Sequence, residues 1–237
     1  MDRTLKKSLL FTLAIALAIQ TCTFAEENKL PPVKYDGLTK YEKDADSPEY
    51  EERMKELKKE YKGVTKDVRV INALELMKGT LGEFSRNAII GKNLTGKPIG
   101  IEFTDLSNFG PAYRNFDALG WKKNKRLYIY LNRKHQDAPA PALAALLSHE
   151  ALHQDEFNSL NEETYAWTLE AAVWTQLTEK MPEYNNNMHP LCVRENTLKK
   201  LFIKGNYTNK YIKKTVHANP GYAGLPSRSP GFENDNL

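Results

Sequence analysis

Two histidines and a glutamate stand close together between Ser148 and His153. His149 and His153 are four positions apart, and Glu150 directly follows the first histidine. On an α-helix, side chains four positions apart lie on one face, about 5–6 Å from each other at Cβ. Two imidazoles placed in this way can both bind one tetrahedral cation such as Zn²⁺, which takes histidine nitrogens at about 2.0–2.1 Å. This stretch therefore predicts a Zn²⁺ site on a helix.

Glu150 has a different expected role from the two histidines. One position further along a helix, its side chain is rotated away from the line of the ligands, so it can contact a water on the metal without binding the metal itself. This is the physical content of the H-E-x-x-H pattern, in which the glutamate is the general base. Glu150 is therefore the predicted catalytic residue.

A third metal ligand must lie downstream, because a catalytic zinc normally has three protein ligands and one open position. A histidine six residues after His153 is excluded, since Ser159 stands there. Glutamates are available at the start of the following predicted helix, and Glu163 is favoured. It shares a helical stripe with Ala166, whose small side chain would let two helices approach closely. Glu162 is the alternative ligand.

The elements that must position these residues follow from hydrophobic periodicity and from helix-breaking residues. Prolines open the motif helix, and an αα-hairpin would bring the next helix back beside His153. Segments rich in β-branched and aromatic residues predict two strands, with an aromatic loop between them. The predicted helices are Pro48–Tyr61, Asp67–Leu81, Ala142–Gln154 and Leu160–Lys180, with one or two short basic helices in 185–214; the predicted strands are Pro98–Thr104 and Arg126–Asn132.

The N-terminus has the features of a secretory signal. Three basic residues precede the apolar run Leu9–Ile19, and Ala25 offers a small residue for cleavage. We therefore predict a signal peptide over 1–25, a flexible leader or linker over 26–47, one domain over 48–215, and an irregular or disordered tail over 216–237. The mature chain would keep a single cysteine, Cys192, and so could form no intramolecular disulfide.

Composition excludes several classes of protein. Hydrophobic residues make up 41% of the chain and charged residues 27%, as in globular proteins. The formal net charge is +4, and cleavage of the signal would lower it by two, since three basic side chains and one acidic one leave. Such a small charge does not indicate binding to nucleic acid or to an anionic membrane. Because cleavage would remove the short apolar run, we also predict no stable membrane insertion afterwards.

The H-E-A-L-H stretch at 149–153, followed by Glu163-Thr164-Tyr165-Ala166, resembles the gluzincin type of zinc metallopeptidase, which includes the minimal zincins. The resemblance covers roughly residues 67–180. It implies an α+β, minimal zincin-like domain with a small sheet, a motif helix and a following glutamate-bearing helix. It also implies that His149, His153 and Glu163 bind Zn²⁺ and that Glu150 is the general base. Arg126–Asn132 would be the edge strand that pairs with substrate, around Tyr128–Leu131.

The sequence departs from the family pattern at one supporting position. Many relatives carry an acidic residue directly after the alanine of the glutamate helix, where it orients a ligand histidine, but Trp167 stands there. Glu170 or Asp155 is the predicted replacement. The donor that stabilises the transition state stays open among three residues: Tyr165, His189 and His217.

These features together predict an exported zinc metallopeptidase, periplasmic or secreted, that acts on protein or peptide substrates. The rival expectation is a non-catalytic envelope protein that keeps a zincin-like fold and binds a protein partner. A peptidase that stays latent until its N-terminal segment is removed is a third alternative. The sequence leaves the cleavage specificity and the oligomeric state open.

Overall fold

A computed structural model of the chain describes residues 48–154 and 157–229. Within these residues it contains seven α-helices and a three-stranded sheet, which is an α+β architecture. The helices are α1 (Pro48–Glu60), α2 (Val68–Leu76), α3 (Glu83–Ile89), α4 (Ala140–Glu150), α5 (Leu160–Lys180), α6 (Pro190–Lys204) and α7 (Lys210–His217). The strands are β1 (Gly100–Thr104), β2 (Ala118–Lys123) and β3 (Arg126–Asn132).

Several predicted segments lie outside the described residues: the signal peptide, the leader or linker over 26–47, Asp155, and the end of the tail over 230–237. No helix in the described part of the chain has both the length and the apolar character that crossing a bilayer requires.

The sheet has the order β1-β3-β2, with β1 parallel and β2 antiparallel to β3. The expectation that Arg126–Asn132 is an edge strand is therefore wrong, because this strand has a partner on both sides. The two edge strands are β1 and β2, and β2 lies within the segment predicted to be a loop. Its sequence, Ala-Leu-Gly-Trp-Lys-Lys, contains a glycine and two lysines and so carries a weak strand signal.

The motif helix α4 is buried along nearly its whole length, since every residue from Pro141 to Glu150 is buried. It packs between α2 and α5, which explains why it is apolar on all sides. The predicted helix over Ala142–Gln154 is too long at its C-terminal end, because α4 stops at Glu150. Beyond it the chain tightens into i→i+3 bonds, with the His153 amide 3.3 Å from the Glu150 carbonyl oxygen.

Helix α5 has the predicted bounds, Leu160–Lys180. The Ser159 hydroxyl caps its N-terminus by accepting a hydrogen bond from the Glu162 amide at 3.2 Å. Met181 and Pro182 end it, since proline has no amide hydrogen to continue the helix. The caps fix where Glu162 and Glu163 stand on the first turn of the helix.

The largest hydrophobic core lies between the inner face of the sheet and helices α2, α4 and α5. Leu127, Ile129 and Leu131 line the sheet side, and Trp174 of α5 is fully buried in the same cluster. Cys192 lies in this core as a free thiol. A smaller cluster joins α5 to α6 and α7.

Residues 218–229 pack back onto the start of α5, although they belong to the segment predicted to be an irregular or disordered tail. The Pro226 carbonyl accepts a hydrogen bond from the Leu160 amide at 2.9 Å, and the Ser227 carbonyl accepts one from the Asn161 amide at 3.2 Å. Ser229 is 3% exposed. The packed part of the chain therefore continues beyond the predicted domain end at 215.

Candidate metal centre

The structure brings His149, His153 and Glu163 together at the junction of α4 and α5. One ligand atom from each lies within 4.8 Å of the other two. The Nε2 atoms of His149 and His153 are both 3.6 Å from oxygens of Glu163. Ligand atoms around a tetrahedral ion at about 2.0–2.1 Å are themselves about 3.4 Å apart. The three side chains could therefore hold a metal ion with little adjustment.

The hydrogen bonding of Glu163 fits the presence of a cation. Its Oε1 accepts a hydrogen bond from Asn158, whereas its Oε2 is buried and has no hydrogen-bond partner. A buried carboxylate oxygen without a partner costs about 1–3 kcal/mol. A cation between Glu163 and the two imidazoles would remove this penalty, so the residues present fit a metal site.

Each imidazole is oriented by a second carboxylate on its far side. His149 Nδ1 lies 3.0 Å from Glu170, and His153 Nδ1 lies 2.9 Å from Glu162. The Nδ1 atoms donate to these carboxylates, and this orientation directs both Nε2 atoms toward Glu163. Glu162, the alternative ligand, thus contacts the outer side of His153. Its other oxygen accepts a hydrogen bond from Ser229 at 2.9 Å.

Glu170 is in turn held by Arg194 of α6. Two guanidinium nitrogens of Arg194 lie 2.5 and 3.1 Å from the Glu170 oxygens, and its Nε lies 3.1 Å from Asp117. Burial alone would raise the pKa of Glu170, but the charge of Arg194 and the contacts with His149 outweigh it and lower the pKa to about 2. Glu170 therefore stays ionised and can keep its hydrogen bond to His149.

The metal-free imidazoles are basic despite their burial. Burial lowers the pKa of His153, but the hydrogen bond to Glu162 and the charge of Glu163 outweigh it and raise the pKa to about 9. The pKa of His149 is also raised: burial opposes the shift, and Glu170 outweighs it. Protons on both Nε2 atoms must therefore leave when a metal binds.

Glu150 lies beside the three candidate ligands without joining them. It is buried, and its Oε1 is 4.0 Å from His149 Nε2. The pKa of Glu150 is raised, because the effect of burial outweighs the lowering effect of the two histidines. A carboxyl group with a raised pKa is better matched to proton transfer near neutral pH. The geometry and the pKa both suit a general base.

A cleft of about 530 Å³ opens onto these residues. Its walls include five aromatic side chains: Tyr113, Phe116, Trp121, Phe157 and Tyr222. Strand β2 forms one side, where Gly120 comes so close that a Cβ on it would lie 3.3 Å from the His153 Cβ. Glycine at this position therefore lets the edge strand approach the candidate metal centre.

Two residues at the site had no signal in the sequence. Arg194 lies 24 positions beyond Glu170, in the segment 185–214 that was predicted only to form one or two short basic helices. Tyr222 stands in the Gly- and Pro-rich tail, yet its hydroxyl accepts a hydrogen bond from Trp167 at 3.0 Å and faces the cleft. Burial and the charge of Glu163 raise the pKa of Tyr222, so its hydroxyl keeps its proton.

The sequence analysis left three candidates for the hydrogen-bond donor that stabilises the transition state. None of them lines the cleft: Tyr165, His189 and His217. His189 instead lies 3.3 Å from Asp137 at the far end of α4. Tyr222 does line the cleft, together with His149, His153 and Glu163.

Comparison of the chain with models of protein families, with curated proteins and with solved structures gives no match in any of the three. The α+β architecture alone is compatible with many activities. The functional interpretation therefore depends on the geometry of the site.

Proposed function

We propose that the protein is an exported zinc-dependent metallopeptidase with a minimal zincin-like fold of the gluzincin type. The observation that carries this proposal is the convergence of His149, His153 and Glu163 on one position, with Glu150 beside it in an open cleft. Two histidines and one glutamate form a ligand set typical of catalytic zinc. A purely structural zinc site would be closed by four protein ligands, whereas this cluster has three.

Zinc, when bound, would lower the pKa of a coordinated water toward about 7 and would polarise the scissile carbonyl. The protein side chains do the rest. Glu150 takes a proton from the attacking water and returns it to the leaving amine. The Tyr222 hydroxyl donates a hydrogen bond to the oxygen on which negative charge develops, because it lies in the cleft beside Glu163 and keeps its proton.

The free edge of β2 would hold an extended peptide. The Asn132 amide donates to the Asp117 carbonyl at 2.9 Å, which makes these residues a hydrogen-bonded pair of the antiparallel ladder. By alternation, the backbone groups of Ala118 and Gly120 point away from β3. A peptide paired there passes Gly120, where an added Cβ would lie 3.9 Å from Glu150 Oε2. This proposal replaces pairing around Tyr128–Leu131, where β3 already has two partners.

Export is supported by the signal-like residues 1–25. We expect N-terminal sequencing of the mature protein to begin at Glu26. A mature protein that keeps its first residues would contradict cleavage after Ala25.

The deciding experiment combines zinc stoichiometry with cleavage of a peptide library. We expect wild type to bind one zinc and to cleave peptides, and Glu150→Gln to keep the zinc while losing about 10²–10⁴-fold in rate. Glu102→Gln is the matched control, since Glu102 is an exposed glutamate of β1. It should behave as wild type.

Two results would refute the peptidase. Equal cleavage by wild type and Glu150→Gln would exclude Glu150 as the base, and absence of zinc binding would exclude the centre itself. Zinc binding without any cleavage would instead favour the non-catalytic protein that binds a partner.

A further inference from the structure

The small net charge of the chain is distributed unevenly. The formal net charge is +4, yet the segment between Glu195 and Glu233 contains six lysines, one arginine and no acidic residue. The rest of the chain is therefore net negative. The basic segment includes the second half of α6 and all of α7. A region of one sign produces a local positive potential that the net charge does not reveal.

Five of these lysines form one exposed surface on α6 and α7, here called the lysine face. The α7 residues Ile212 and Val216 are buried in the smaller hydrophobic core, so the lysines of this helix are turned outward. Within the described part of the chain, no lysine of this face forms an ion pair with a carboxylate. The lysine face consists of Lys200, Lys204, Lys210, Lys213 and Lys214.

Three lysines of the face converge on the ring of Tyr211. The Nζ atoms of Lys204, Lys210 and Lys214 lie 4.8, 5.6 and 5.7 Å from the ring centre. The face of the ring attracts each cation. The cations nevertheless repel one another, and Lys210 and Lys214 stand four positions apart on a helix, where like charges are destabilising. An anionic surface placed against the lysine face would relieve this repulsion.

Two further side chains are exposed beside the lysine face. Ile203 precedes Lys204 on α6 and is 43% exposed, and Tyr207 in the turn between α6 and α7 is 52% exposed. The Tyr207 ring packs edge-on against Phe202, with 5.6 Å between the ring centres, so it is held in place at the surface. A lipid interface accommodates aliphatic and tyrosine side chains beside lysines that contact its head groups.

We propose that the lysine face is a docking surface for an anionic lipid bilayer, which the protein contacts without insertion. The lysines pair with lipid phosphates, while Ile203 and Tyr207 reach the boundary between head groups and acyl chains. The signal-like residues 1–25 predict export, which brings the mature protein to a membrane surface. This proposal departs from the expectation drawn from the net charge, because a bilayer meets one face of the protein rather than the average of its surface.

Binding to lipid vesicles tests the proposal with the mature protein, which begins at Glu26 after the predicted cleavage. Vesicles of phosphatidylcholine alone are compared with vesicles of an equal mixture of phosphatidylcholine and phosphatidylglycerol, and sedimentation measures the bound protein. We expect binding to the anionic vesicles only, and salt should weaken it by screening. Combining Lys204→Gln with Lys214→Gln should weaken binding about 30-fold, since each lysine near an anionic membrane contributes about fivefold, equivalent to about 1 kcal/mol.

Two further variants identify the surface and the kind of partner. Lys58→Gln with Lys59→Gln is the matched control, because both are exposed lysines of α1, a helix that also carries glutamates. It changes the net charge equally and should leave vesicle binding unchanged. Ile203→Ser should weaken vesicle binding a few-fold and leave binding to duplex DNA unchanged, because only a bilayer offers an apolar layer to this side chain.

Four results would overturn the proposal: binding to neither kind of vesicle, equal binding to both, equal losses in the two double variants, or tighter binding to duplex DNA than to anionic vesicles. Urea unfolding of each variant shows whether a loss of binding comes from a loss of folding. None of these measurements requires zinc or cleavage. Failure of the docking surface therefore leaves the proposed peptidase intact, and failure of the peptidase leaves the docking surface intact.

Discussion

Replacing Arg194 by methionine would remove the cation that holds Glu170 against His149. Glu170 is 0% exposed and Arg194 is 23% exposed, so this ion pair is largely shielded from water. Arg194 Nε also pairs with Asp117 at 3.1 Å. Breaking a buried ion pair by removing one partner costs about 3–5 kcal/mol, because the other charge stays buried without compensation. We expect Arg194→Met to lose this much free energy of unfolding, a large part of the roughly 5–15 kcal/mol that stabilises a typical domain.

The same substitution should weaken zinc binding. Without Arg194, the pKa of Glu170 rises and the carboxylate is no longer held in place, so it orients His149 less well. Loss of a residue that orients a metal ligand typically costs about 10–100-fold in metal affinity. Urea unfolding of the metal-free protein measures the first effect, and competition with a zinc chelator measures the second.

Arg69→Met is the matched control for Arg194→Met. Arg69 pairs with Asp67 at 2.9 Å, with 26% and 28% of the two side chains exposed, and neither residue contacts the metal centre. Both of these side chains reach solvent, unlike the fully buried Glu170, and an ion pair at the surface contributes about 0–1 kcal/mol. If Arg194→Met lost no more stability and no more zinc affinity than Arg69→Met, the assigned role of the Arg194–Glu170 pair would be wrong.

Three further predictions concern the centre itself. In the metal-free protein, the pKa of His153 is raised from 6.5 to about 9. The protonated His153 should therefore contribute fully to the free energy of unfolding below pH 6.5, and this contribution should be lost as pH rises through about 9. Zinc affinity should increase over the same pH range, because the proton no longer competes with the metal. Urea unfolding and competition with a chelator measure the two effects, and curves that do not change with pH would contradict the prediction. Glu163→Gln should abolish stoichiometric zinc binding by removing a ligand, whereas Glu162→Gln should cost only about 10–100-fold; equal losses in a metal titration would contradict this division of roles. Tyr222→Phe should lower kcat by about 10²–10³-fold with zinc content unchanged, and an unaltered kcat would remove the hydroxyl from the mechanism.

Much of the helical framework could be predicted because its signals are local. Ser159 caps α5 from the preceding position, and Met181-Pro182 ends it, so both bounds were predicted correctly. The spacing of His149 and His153 likewise predicts two imidazoles on one side of a turn. The turn persists although α4 ends at Glu150, because i→i+3 bonds replace the last helical ones and the two rings remain 5.2 Å apart.

Strand β2 shows why the sheet could be predicted only in part. The strand β3 was predicted correctly because its β-branched and aromatic residues match a buried strand. Strand β2 has no comparable pattern and extends only because β3 offers it a hydrogen-bonding partner. Which strand is at the edge depends on this pairing, and so does the expected path of a substrate.

The sequence by itself determined which residues could bind a metal, because that capacity belongs to the side-chain types and to a histidine spacing of about one helical turn. Tertiary structure alone decided the separate positions of Glu162 and Glu163. Adjacent helical residues point about 100° apart, so the placement of α5 against α4 directs Glu163 to the Nε2 atoms and Glu162 to the Nδ1 atom of His153. Arg194 and Tyr222 reach the site only through the packing of α6 and of residues 218–229, which no local pattern encodes.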